Sequence, residues 1–197
     1  MFTTGLGRPL AGTLATALTL VAYPPYIRTI FHGHTRPHVF TWVVWSITTG
    51  IAFLAVLDAQ GGTGAWPIGI SCVITLFVAG LAYVKRTDIT FTRTDWGLFL
   101  LALAAMPLWL VANDPIWAVV LITIIELLGF GPTLHKTWLH PYSESMSFLV
   151  IMIVRNALII VALDQLSLTT ALFPAAVAAA CWALIAVMAW RKPRLET

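Results

Sequence analysis

Long apolar stretches alternate with short polar breaks along the whole chain. Apolar runs of membrane length fall at 10–31, 39–57, 65–84, 96–112, 115–134, 146–163 and 168–190. A membrane-crossing helix needs about 20 such residues, or somewhat fewer at the short end. Between the runs stand HGHTRPH, DAQGGTG, KRTDITFTRTD, ANDP, HKTWLHPYSES and DQLSLTT, which carry turn-forming and charged residues. The pattern predicts an all-α membrane protein with seven transmembrane helices in a single domain. The fourth span is the short one, and Pro107 interrupts it. The first run follows Arg8 and resembles the apolar part of a signal peptide. No small-residue cleavage site closes it, so it reads as the first span.

Composition sharpens this and excludes a soluble domain. The chain is 59% hydrophobic and 10% charged, against about 25% charged in soluble domains. Mean hydropathy is +0.90. The net charge of +3 is therefore a topology marker and implies no nucleic-acid partner. When the breaks are assigned alternately to two sides, one side receives Arg28, Arg36, Lys85, Arg86, Arg93, Lys136, Arg191, Lys192 and Arg194. The other receives Arg8 alone among bases, with Asp58, Asp114 and Asp164. The positive-inside rule then places the N-terminus outside and the C-terminus in the cytoplasm. The expected location is a plasma membrane, specifically a bacterial inner membrane. Trp66, Trp96, Trp117, Trp138 and Trp190 fall near span ends, where interfacial aromatics belong.

A shift of 107 residues brings the chain into register with itself. Pro25 falls on Pro132, Pro67 on Pro174 and Lys85 on Lys192, while AYPP (22–25) falls on GFGP (129–132). Removing one loop residue aligns Asp58 with Asp164 and Thr41 with Ser147. The repeat covers about 9–86 and about 115–193. Span four, about 96–112, is left as a linker helix. Units of three spans with an odd linker share one orientation, so the repeat is expected to be parallel, about an axis along the membrane normal.

With proline at the cytoplasmic end of the first helix of each unit, the chain resembles the PQ-loop and SWEET transporter superfamily. GPTLHKTWLHPYSESMSF carries the resemblance in the second unit and PPYIRTIFHGHTRPHVFTW in the first. The resemblance implies a seven-span 3+1+3 fold and alternating access between two three-helix bundles. It also implies that Pro25 and Pro132 are hinges. Tyr26 and Thr133 replace the glutamine that names the motif. Gly69 to Ser71 and Ala176 to Ala178 stand where SWEET sugar carriers place asparagines.

The candidate site is a polar, aromatic-lined central cavity. Glu126 and Arg155 lie about halfway along spans five and six. A charge at that depth costs at least about 2.5–3.5 kcal/mol, so each should face inward and find a partner. The expectation is that they pair with each other, directly or through water, with Asn156 beside them. Under the repeat Glu126 corresponds to Thr19 and Arg155 to Thr49. Thr13, Thr16, Thr19, Tyr23 and Tyr26 share one face of helix one, and Trp42, Trp45 and Thr49 one face of helix two. The substrate set is Glu126, Arg155, Asn156, Thr19, Thr49, Tyr23, Trp42 and Trp45. A proline kink releases a backbone carbonyl, so the kinks are expected to face the bundle interior.

Other residues carry less. Asp58 and Asp164 close the second helix of each unit at the outer surface, as caps or loop contacts. His32, His34, His38, His135 and His140 all fall on the cytoplasmic side without a metal-ligand spacing, and Cys72 and Cys181 read as small apolar residues. No catalytic constellation, phosphate loop, cofactor motif or metal site is expected. The leading expectation is a carrier of a small polar solute, with or without a coupled proton, embedded among membrane lipids. The alternative is a seven-helix receptor or sensor of the same fold with a basic cytoplasmic partner-binding face.

Overall fold

The computed structural model describes residues 6–33, 39–85, 93–141 and 144–191. His34, Arg36, His38, Arg86, Lys192 and Arg194 lie outside the described residues, as do the side chains of Pro132 and Lys136. The elements are α1 (Gly7–Phe31), α2 (Val39–Asp58), a 3-10 turn (Gly62–Gly64), α3 (Trp66–Val84), α4 (Arg93–Ala112), α5 (Pro115–Leu139), α6 (Met146–Ala162) and α7 (Leu168–Arg191). No strand occurs among the described residues. Five of the helices, α1, α2, α3, α5 and α7, are long and apolar enough to cross a membrane. The apolar part of α4, Trp96–Ala112, and the whole of α6 are shorter. The sequence reading singled out only the fourth span as short; the sixth belongs with it, because Ser145 caps α6 and its helix stops at Ala162.

Helix starts follow local chemistry. Pro115 opens α5, and Asp114 Oδ1 accepts the Ile116 N–H at 2.9 Å, meeting one of the free amides of the first turn. Ser145 does the same for α6 by accepting the Phe148 N–H at 3.3 Å. Pro67 sits in the first turn of α3, where no amide is needed.

The internal prolines do not stop their helices. α1 runs 25 residues through Pro24 and Pro25, and α4 runs through Pro107. Contrary to the sequence expectation, Pro24 and Pro25 are exposed and do not face the interior. The inward face of α1 is occupied by Ala11, Gly12, Ala15, Thr19, Ala22 and Tyr23, mostly small residues spaced three or four apart. Small residues let helices approach closely. The bulky Leu20 and Val21 share the outward strip with the prolines.

Packing is regular. α3 packs against both α1 and α2, and α7 against both α5 and α6. The two groups meet where α1 packs on α6 and α2 on α5, while α4 lies against α5 and α2. Their common core includes Ala15, Ile51, Ala55, Ile122, Met152, Ile159 and Phe173. Leu14, Leu20, Val73, Leu76, Phe77, Leu100, Val150 and Trp182 are exposed around the bundle, an apolar outer surface suited to lipid.

The two ends of the bundle are tied differently. At the end bearing Arg8, ties run between the two groups of helices. The Asp164 N–H donates to the Gly61 carbonyl at 3.2 Å, and the Thr63 hydroxyl lies 3.2 Å from the Arg8 carbonyl and 3.3 Å from that of Ala162. Arg8 and Asp164 approach to 3.6 Å. Gly64 lies so close to Leu163 and the Ile159 carbonyl that an added Cβ would overlap both. At the opposite end, the side-chain hydrogen bonds of Lys85 and Arg191 stay within each group, while the ring contacts Tyr23–Phe148 and Trp45–Phe130 on that half cross between the groups. Lys85 Nζ donates to the Phe31 carbonyl at 3.3 Å and lies over the Phe31 ring. Arg191 Nε donates to the Trp138 carbonyl at 2.9 Å and lies over the Trp138 ring.

Candidate functional site

Six helices place polar side chains in one buried layer midway along the bundle. Thr19 comes from α1, Thr48 and Thr49 from α2, Ser71 and Thr75 from α3, and Thr123 and Glu126 from α5. Arg155 and Asn156 come from α6, and Cys181 adds a thiol from α7. The threonines tolerate this setting because each hydroxyl turns back onto its own helix. Thr19 donates to the Ala15 carbonyl at 2.8 Å and Thr123 to that of Val119 at 2.6 Å.

Arg155 is the hub of the layer. Its Nε donates to Thr19 Oγ1 at 2.8 Å, and its Nη1 to Asn156 Oδ1 at 3.2 Å. Its Nη2 donates to the Pro67 carbonyl at 2.8 Å and to Ser71 Oγ at 2.5 Å. A guanidinium carries five N–H donors, so these four bonds leave one N–H, on Nη1. One side chain on α6 thereby links α1 and α3. Asn156 is in turn fixed by donating from Nδ2 to the Met152 carbonyl at 2.7 Å.

Glu126 is held more lightly. Its Oε2 accepts from the Thr48 hydroxyl at 3.0 Å. Its other oxygen has no partner among the described residues, and Glu126 as a whole is only 7% exposed.

The direct form of the expected Glu126–Arg155 pair is therefore corrected. No ion pair joins them; each charge takes neutral partners on a neighbouring helix. Tyr23 and Cys181 are each within electrostatic reach of both charges. At a constant shift of 107, Thr19 falls on Glu126 and Thr48 on Arg155, and those are the residues that bond across the interface. The α2-to-α5 bond from Thr48 to Glu126 is thus mirrored by the α6-to-α1 bond from Arg155 to Thr19. Thr49 donates to the carbonyl of Trp45 four residues earlier, and its counterpart Asn156 donates to that of Met152, again four residues earlier.

The other sequence candidates fall into three groups. Tyr23 and Trp42 are buried and Trp45 is half-buried. They form an aromatic wall: Tyr26 stacks on Trp42 at 5.2 Å between centroids, Trp42 meets Trp45 edge-on at 5.2 Å, and Trp45 lies 6.4 Å from Phe130. The Trp45 indole nitrogen rests against Gly129, where there is no side chain to obstruct it. Thr13 leaves the site: it is exposed and bonds to the Pro9 carbonyl. Of the histidines, His32 Nδ1 lies 2.7 Å from the Arg28 carbonyl, and His135 and His140 are exposed. No group of three or more metal-ligating side chains occurs among the described residues.

Three participants were missed by sequence reasoning: Thr48, Ser71 and the Pro67 carbonyl. Thr48 was recoverable by keeping the shift at 107 through the second helix. Ser71 stands in the segment noted only for lacking the expected asparagine. Nothing in a sequence marks a carbonyl as an acceptor.

No known protein family, curated protein or solved structure matches the chain.

Proposed function

We propose that the protein is a seven-span carrier that moves a small polar solute between two three-helix units, α1–α3 and α5–α7, with α4 as the linker. The observation that carries this reading is the matched pair of interface bonds, Thr48 to Glu126 and Arg155 to Thr19. Both lie in the buried layer and both cross between the units. A polar layer at a repeat interface is where carriers of this architecture hold their solute. Burying two opposite charges in membrane-depth helices without pairing them is costly for a purely structural bundle.

The tying of the ends supports a rocking motion. Bonds between the units gather at the Arg8 end, and bonds within each unit at the Lys85 end. In this reading the Arg8 end is the shut one, and parting at the other end separates the cross-unit ring contacts Tyr23–Phe148 and Trp45–Phe130. With the positive-inside assignment, the Lys85 end faces the cytoplasm. The proposal extends to the parallel repeat, to proline hinges at Pro25 and Pro132, and to kinship with the PQ-loop and SWEET superfamily.

The test is uptake by liposomes containing the purified protein, against a panel of sugars, amino acids and vitamins, with and without a pH gradient. Saturable flux of a panel member is the expected result. A complete lack of flux would overturn the carrier reading and leave a seven-helix receptor with a basic partner-binding face.

A further inference from the structure

The carrier reading leaves its solute as small and polar; the chemistry of the buried layer narrows it, and this inference rests on that reading. We propose that the solute is a zwitterion, with its ammonium group on the free oxygen of Glu126 and its carboxylate on the remaining N–H of Arg155.

Each charge is buried and lacks an ionic partner. Glu126 has one hydroxyl donor on Oε2 and none on Oε1 among the described residues. Arg155 spends four donors on two hydroxyls, an amide oxygen and a carbonyl, all neutral, and retains one on Nη1. Both groups are buried in the same layer, within electrostatic reach of the same two side chains, Tyr23 and Cys181. The layer thus presents one negative acceptor and one positive donor, each with a bonding position unfilled.

Charge balance selects among solutes. The layer is formally neutral, with one carboxylate and one guanidinium. A singly charged guest would satisfy one group, leave the other bare and add a net charge at low dielectric, which is costly. A neutral sugar supplies hydroxyls but no compensating charge for either ion. A solute with an ammonium and a carboxylate meets both vacant positions and keeps the layer neutral. The charge-assisted bonds it would form are about twice as strong as neutral ones.

The experiment uses the full chain. Glycine, β-alanine and 4-aminobutyrate place the two charges at increasing separation. Propionate carries only the anion, propylamine only the cation, and glucose neither. Binding is read as thermal stabilisation in detergent, and transport as flux in proteoliposomes. One zwitterion should stabilise the protein at concentrations about tenfold below either singly charged analogue. Glu126→Gln, which keeps the shape and a bond to Thr48, should remove that preference by weakening zwitterion binding about tenfold or more. Equal or better binding of propionate, propylamine or glucose would overturn the proposal while leaving the carrier reading intact if that compound is carried. Zwitterion binding without flux would uphold the site and overturn the carrier. If no compound binds and none is carried, both fail. Should Glu126→Gln not fold, Thr48→Val tests the same point, since it strips Glu126 of its one positioning bond.

Discussion

At the scale of single residues, Arg155 and Glu126 behave differently despite similar depth. Arg155 makes four bonds to two other helices and to its own neighbour, so it is a brace as well as a charge. Lysine has one donor head where arginine has a planar fork and cannot reach Thr19, the Pro67 carbonyl and Ser71 together. Arg155→Lys should therefore lower unfolding stability in detergent by about 2–3 kcal/mol, measured by thermal or denaturant unfolding; an unchanged stability would mean the bonds carry nothing. The pairing itself is open to double-mutant cycles. Thr48→Val with Glu126→Gln should show a coupling of about 1 kcal/mol, since the two residues are bonded. Arg155→Gln with Glu126→Gln should show a clearly smaller coupling, because no bond joins that pair. The reverse order would restore the direct ion pair anticipated from the sequence. That anticipation was sound about which residues turn inward, because the cost of a charge at mid-membrane is independent of the fold. It was wrong about a direct bond between them, because direct partners depend on helix rotation. Apolar spans show little periodicity from which rotation could be read.

At the scale of elements, the helices were legible almost to their ends, and what failed was the facing of the prolines. Span one was read at 10–31 and is α1, Gly7–Phe31. Span five was ended at 134, five residues early, because the polar HKTW segment looks like a loop and is instead the last turn of α5. Composition marks where lipid ends and says nothing about a helix that runs on into water. Pro24 and Pro25 lie on the exposed strip of α1, where their rings remove the amide bonds to the carbonyls of residues 20 and 21. An interior helical proline costs about 3 kcal/mol relative to alanine, and at an exposed position little packing is lost on replacement. Pro25→Ala is therefore expected to stabilise the protein, by about 1 kcal/mol or more. If the proline is a hinge, the same substitution slows flux about tenfold while solute binding is kept. Faster or unchanged flux in a stabilised variant would remove the hinge from the mechanism. The fold can tolerate such a flex point because the ties of α1 lie elsewhere: Arg8 and Gly12 at one end, Thr19 in the middle and Phe31 at the other end.

At the scale of the whole molecule, the arrangement of ties makes a directional statement. The Gly61–Asp164 bond, the Thr63–Ala162 contact and the Arg8–Asp164 approach all join the two units at one end. The Lys85 and Arg191 ties join only helices of the same unit at the other. The Arg8–Asp164 ion pair is exposed and worth little by itself. Alternating access requires the Arg8-end ties to break in every cycle and the ties within each unit to persist. Replacing Arg8 and Asp164 by cysteine and joining them with a short thiol crosslinker should therefore arrest flux. Cleaving a reducible linker should restore it. The native thiols interfere little, since Cys181 is buried and Cys72 half-buried. Solute binding in detergent should survive the crosslink if the units part at the Lys85 end, as the carrier proposal has it. The matching crosslink within a unit, between cysteines at Phe31 and Lys85, should leave flux unaffected. If the first crosslink is harmless, the two units do not separate at the Arg8 end and rocking is excluded. If both arrest flux, the units are not rigid bodies, and motion within each three-helix group carries the solute instead.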